Sequence, residues 1–111
     1  MKIEQRKVDN VVILDMSGKI TIGDPDILVR ETIDRLLDEG EKNVLLNLEK
    51  VSYIDSAGIG ELVMAIKKVK EEHGSIKITN PSPKARRCLE STYLDRIFEI
   101  YGDEREALAS F

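Results

Sequence analysis

The residues whose types and spacing could carry chemistry are concentrated in Tyr53-Ile54-Asp55-Ser56-Ala57-Gly58-Ile59-Gly60-Glu61-Leu62. Asp55 and Ser56 stand where an apolar run gives way to a helical pattern. Either side chain can supply the oxygen that accepts an unpaired N–H of a helix start. A serine at that position also suits a phosphate acceptor, because the exposed N–H groups and the helix dipole both favour an anion. A phosphate on Ser56 would add roughly −1.5 to −2 charges at neutral pH, next to Asp55. Helix cap and modifiable switch are thus two readings of the same serine. Gly58 and Gly60 take side-chain bulk out of the first turn, so a large group could approach the backbone.

Other chemistries fit the residues less well. A Ser-His nucleophile needs the two side chains within hydrogen-bond reach. The only histidine, His73, lies about five turns along the same helical pattern. A rise of ~1.5 Å per residue then separates it from Ser56 by roughly 25 Å. One histidine and one cysteine, Cys88, with no ligand-like spacing, argue against a metal site. Gly58-Ile59-Gly60 followed by Val63 is two-thirds of a dinucleotide fingerprint, and no Walker lysine follows.

These residues must be held by a small domain. A chain of 111 residues with 41% hydrophobic and 34% charged residues suits one globular core, residues 1–111. The net charge of −4 argues against nucleic acid or an anionic membrane as partner. A single cysteine, no apolar run of roughly 18 residues and no signal-peptide pattern predict a cytoplasmic protein.

Along the chain, Met1–Lys7 and Val11–Met16 flank the turn signal Asp9-Asn10 and predict an N-terminal β-hairpin. Lys19–Ile22 either extends the second strand or forms a separate edge. Asp24 as N-cap with Pro25 at the first helical position predicts a helix that ends at Gly40. Val44–Leu48 reads as a central strand. A helix over about Ala57–His73 follows, with Ile59, Leu62, Val63, Ile66 and Val69 on its core face and Gly74 ending it. Met64 is the apolar exception on the opposite face, on the Ser56 side, and is either an ordinary exposed methionine or a partner contact. Ser75–Thr79 is a strand, Ser82-Pro83 opens a short helix, Ile97–Tyr101 is a last strand, and Asp103 caps a terminal helix docked by Leu108 and Phe111. The order β-β-α-β-α-β-α-β-α predicts an α/β fold with a mixed, mostly parallel sheet of about five strands and about four helices.

Val51-Ser52-Tyr53-Ile54-Asp55-Ser56-Ala57-Gly58-Ile59-Gly60, preceded by Asn43-Val44-Leu45-Leu46-Asn47-Leu48, resembles the signature of STAS domains, specifically the free-standing anti-sigma factor antagonists of bacteria. The strand order, Gly18 after the second strand and the proline-bearing segment after the fourth are also similar, so the resemblance spans essentially the whole chain. It implies a single STAS-type domain that acts by partner switching. The unphosphorylated protein would bind an anti-sigma factor that is also a serine kinase, freeing a sigma factor. Phosphorylation would dissociate the pair, and a PPM-type phosphatase would reverse it. By this resemblance Ser56 is the phosphoacceptor and Asp55 the acid beside it. Ala57, Gly58, Gly60, Met64, Thr21 and Asp24 would complete the partner surface. ATP and its metal would belong to the kinase, leaving this chain a substrate without cofactor or catalysis. Ala57 stands where many relatives carry Ser or Thr, and Lys19–Pro25 departs from the family's acidic pattern. A non-switching scaffold or complex subunit, and a nucleotide or small-molecule sensor, are the alternative functions.

Overall fold

The computed structural model describes all residues, Met1–Phe111. Its sheet begins with a hairpin, β1 (Lys2–Val8) and β2 (Val11–Ile20), which turns at Asp9 with a positive φ of 55°. Helix α1 (Asp24–Asp38) leads to β3 (Asn43–Ile54), α2 (Ser56–Glu71) to β4 (Ser75–Thr79), and α3 (Pro83–Ser91) to β5 (Ile100–Tyr101); α4 (Glu104–Ala109) closes the chain. The strands lie in the order β1-β2-β3-β4-β5. Only β1–β2 is antiparallel; the other three pairs are parallel.

Runs of apolar residues in β2, β3 and β4 require cover on both faces, because successive side chains point to opposite sides. Val12, Leu14, Met16, Val44, Leu46, Leu48, Ile76 and Ile78 face the larger core, filled by α1, α2 and α3. Val11, Ile13 and Leu45 face the other side, where Ala107 of α4 completes a small second core. Lys77 shares that side and is nearly buried. Its ammonium donates to the Ser110 carbonyl at 2.7 Å and to Ser110 Oγ at 2.9 Å, and sits 4.8 Å from the Phe111 ring centroid. A buried charge needs such partners, and here they fasten the end of the chain to the sheet.

Strands β2 and β3 outrun the rest of the sheet. Their ladder continues to Ile20↔Ile54, whereas β3–β4 pairing stops at Asn47↔Thr79. Helix α3 takes up the free side of the projecting β3: the Ser82 N–H donates to the Leu48 carbonyl, and Ser82 Oγ donates to the Val51 carbonyl. The same hydroxyl accepts from the Ala85 N–H and so caps α3, as its position before Pro83 predicts.

Several local expectations need correction. Of the two readings of Lys19–Ile22, the extension holds for Lys19-Ile20, which end β2, whereas β3, expected to stop at Leu48, runs six residues further to include Tyr53-Ile54. The N-cap of α1 is Gly23 (φ 107°), with no side-chain cap bond, so Asp24 is the first helical residue rather than its cap. On α2, Gly58 and Ala65 are buried and Val63 is 40% exposed. Two small residues let the helix lie close to the sheet on their side, which rotates Val63 away from the core. Most of Ile97–Tyr101 is irregular, because the 3-10 turn Leu94–Arg96 uses this stretch to bury Leu94 and Phe98; only Ile100-Tyr101 pairs.

The two glycines after the long helices do different work. Gly40 takes φ 83°, while Glu41 and Gly40 donate to the Leu36 and Leu37 carbonyls, the Schellman pattern. At the end of α2 the left-handed residue is His73 (φ 60°), not Gly74. A Cβ on Gly74 would come within 2.2 Å of the Lys42 carbonyl oxygen. Gly74→Ala is therefore expected to cost about 2–3 kcal/mol by forcing backbone apart, against about 1 kcal/mol for Gly40→Ala, which meets open space but a strained φ. Urea unfolding of both variants measures the order.

Candidate partner-binding site

The C-terminal ends of parallel strands are where open α/β sheets place their functional loops. Here β2 and β3 end side by side, and Asp55 ties together the loop beyond β2 and the helix beyond β3. Its N–H donates to the Ile20 carbonyl at 3.2 Å. One carboxylate oxygen accepts from the Gly58 N–H and the other from the Ile22 N–H, each at 2.9 Å. Asp55 thereby caps α2 and holds the β2–α1 loop with a single side chain. Hydrogen bonds from the Gly58 and then the Ile22 backbone hold its carboxyl below the usual carboxylate range. Both oxygens are committed within the chain, so Asp55 positions the site.

The cap is Asp55, and this changes the standing of Ser56. Ser56 is the first residue of α2, it is exposed, and its hydroxyl makes no hydrogen bond within the protein. Gly60, Val63 and Met64 follow at i+4, i+7 and i+8, on the same face of the helix. Gly60 is exposed, a Cβ placed on it would meet nothing within 4 Å, and Val63 and Met64 are 40% and 41% exposed. The result is a stripe with a free hydroxyl at one end, bare backbone in the middle and two apolar side chains at the other.

Gly58 does not belong to that stripe. It is buried, and a Cβ there would lie 2.1 Å from the Ile20 carbonyl oxygen. The expectation that both glycines open the helix start is corrected: Gly58 lets α2 press against the end of β2, and only Gly60 faces outward. The two glycines therefore do not form a paired cradle, and a nucleotide-sensor reading is left with the anion-favouring start of α2. Ala57 is half-buried.

On the neighbouring loop, Thr21 is half-buried and its carbonyl accepts from the Asp26 N–H, while Asp24 is exposed. The residue missed by sequence reasoning is Ile22, 76% exposed although its N–H is fixed by Asp55. Ile27, on the first turns of α1, is 40% exposed. The signal for Ile22 lay in its position between a strand and the Gly23-Asp24-Pro25 helix start, where neither element supplies a buried place for it.

The geometry can be checked at both the glycines and the aspartate. Gly58→Ala is expected to lose at least about 2 kcal/mol, and Gly60→Ala to gain about 0.5–1 kcal/mol from the unfolded chain's lost freedom; denaturant melts of the pair distinguish a packing glycine from an open one. Asp55→Ala is expected to lower Tm by roughly 4–8 °C and to abolish hydrogen-exchange protection of the Ile22 amide. Because the folded carboxyl titrates below its unfolded value, the stabilisation is complete above the ordinary aspartate range and is lost as pH falls through the depressed folded value. The Ile22 amide resonance followed by NMR from neutral to acid pH reports it.

The likeness to known proteins agrees with this arrangement. A candidate anti-sigma factor antagonist from Thermotoga maritima is 33% identical over 101 residues, covering 91% of this chain and 89% of the relative. A crystal structure of a candidate antagonist from that organism matches with a TM-score of 0.89 at 30% identity, covering 97% of this chain and 92% of that one. The anti-sigma-B factor antagonist of Bacillus subtilis is 30% identical over 100 residues, 90% of each chain. The Bacillus cell fate determinant SpoIIAA, solved in its phosphorylated form, shares the fold with a TM-score of 0.76 at 21% identity over 98% of each chain. The STAS domain pattern matches residues 2–107, and with the strand order and the Asp55–Ser56 helix start described above, this chain belongs to the STAS domain family.

Proposed function

We propose that this protein is an anti-sigma factor antagonist controlled by phosphorylation of Ser56. The observation that carries the reading is the free, exposed Ser56 hydroxyl at the start of α2, relieved of capping by Asp55. A serine needed for capping could be modified only at the cost of the helix. This one can be modified while the fold stays intact, which is what a switch between partners requires. The naming of the curated relatives as anti-sigma factor antagonists supports the same reading.

In this scheme the anti-sigma factor, itself a serine kinase, packs on the stripe Ser56-Gly60-Val63-Met64 and on the Thr21–Asp24 loop led by Ile22. The exposed apolar side chains supply area for an interface core. Gly60 lets the partner approach the helix backbone. The kinase brings ATP and metal and transfers the γ-phosphoryl group to Ser56 Oγ, and ADP leaves with the kinase. The phosphoserine dianion then sits among Ile22, Val63 and Met64, where burial without a cationic partner is costly. Asp55 and Asp24 add negative charge nearby, so the complex separates. A PPM-type phosphatase restores the hydroxyl by hydrolysis. No step calls on a catalytic group of this chain.

Ser56→Ala is expected to fold with stability within about 0.5 kcal/mol of wild type, because no hydrogen bond is lost. As baits in native lysate, wild type and Ser56→Ala are expected to retain an ATPase-fold serine kinase that Ser56→Asp does not. Equal retention by all three baits, or no kinase on any, would exclude the switch and leave a scaffold.

A further inference from the structure

The side of the β2–β3 projection that α3 covers carries a second candidate surface. Between α3 and the projecting strands runs a groove of about 590 Å³ lined by Lys19, Ser52, Tyr53, Lys84, Arg87, Cys88 and Ser91. It continues into a second hollow of about 370 Å³ that shares Ser52, Lys84 and Arg87 and adds Lys50 and Glu49. Four cations therefore meet one carboxylate, on a protein whose net charge is −4. Six of the seventeen lysines and arginines, Lys2, Arg6, Lys7, Arg35, Lys68 and Lys77, have a carboxylate within ion-pair distance. None of the four groove cations does. Lys50 also lines a hollow on its other side with Glu4 and Asp15, which offset part of its charge.

Shape narrows the class of ligand. Sites for small anions are enclosed and hold their ligand with a few buried polar groups, whereas Lys84 and Arg87 are exposed and the groove is open along its length. Lys84 and Ser91 are two turns apart on one face of α3, roughly 10 Å, the span of about three residues of extended chain. Tyr53, 49% exposed, offers an aromatic surface between the charges. Lys19 and Tyr53 are paired residues one step before the Ile20↔Ile54 end of the ladder, so the groove leads directly to the loops that carry Ile22 and Ser56.

We propose that this groove docks an extended, acidic segment of the protein partner, with Lys84, Arg87, Lys19 and Lys50 matching its carboxylates and Tyr53 covering an apolar side chain within it. The proposal rests on the partner-binding reading only for the source of the segment; its chemistry rests on the groove. Such a contact lies outside the Ser56 stripe and is unaffected by phosphorylation. It would steer association and select among partners, as rim charges do.

The test is an NMR titration of the full chain with a short Glu/Asp-rich peptide carrying one leucine. The expected result is saturable shifts at Ser52, Tyr53, Lys84, Arg87 and Ser91, with affinity falling as salt rises and the peptide protecting Cys88 from alkylation. Lys84→Glu with Arg87→Glu, or with Gln at both positions if the reversal disturbs folding, is expected to weaken binding by roughly tenfold or more. Ser56→Asp is expected to leave it within about twofold, which separates failure here from failure of the phosphoswitch. Absence of saturable shifts, shifts on the Ser56 stripe instead, or equal binding of a Lys-rich peptide would overturn the proposal. Matching shifts from inorganic phosphate, phosphatidylserine vesicles or an oligonucleotide at equal charge would overturn the acidic segment as occupant.

Discussion

The parallel pairing of β2 with β3 is the constraint on which the rest of the structure depends. It supplies the residues that fill both cores, and it continues past the point where β4 stops. Because of that projection, the two strands deliver their loops side by side and leave an edge that α3 must cover. Ser82 meets the requirement with three hydrogen bonds, one from its N–H and two through its hydroxyl. The surface around Ser56 and the cationic groove are therefore two sides of one extension of the sheet.

The adjacent residues Asp55 and Ser56 divide the helix start between them, one capping it and the other left free of capping. Asp55 satisfies two orphan N–H groups, on a helix and on a loop, and is half-buried in doing so. Ser56, adjacent in sequence, makes no side-chain hydrogen bond within the fold. A helix start usually loads capping on one residue and leaves the next free; here the free residue carries a hydroxyl and faces outward. Gly58 and Gly60 divide in the same way, one fitted beneath a carbonyl and one open.

The fold was legible because its signals are periodic and redundant. Alternating strands and helices, the hairpin turn at Asp9-Asn10 and the Ser82-Pro83 and Asp103 helix starts all lie where the residues place them. The misreadings came from positions set by tertiary packing. Val63 has the right period for the core, yet the close approach allowed by Gly58 and Ala65 turns it outward. Gly74 has the composition of a helix terminator, but its cause is the Lys42 carbonyl, 32 residues earlier in the chain. The motif residues were found, whereas their roles depended on hydrogen bonds no sequence spacing displays. Ile22 escaped notice because only the Asp55 carboxylate explains why so exposed a loop residue is held in place.

That clamp has a consequence for timing. A loop and a helix start already fixed by one carboxylate have little ordering entropy left to lose on association, so encounter can proceed as rigid docking. Changes confined to such an interface alter dissociation far more than association. A charge added at Ser56 would accordingly act as a timer: partners would still meet at much the same rate, but their residence time on the protein would shorten.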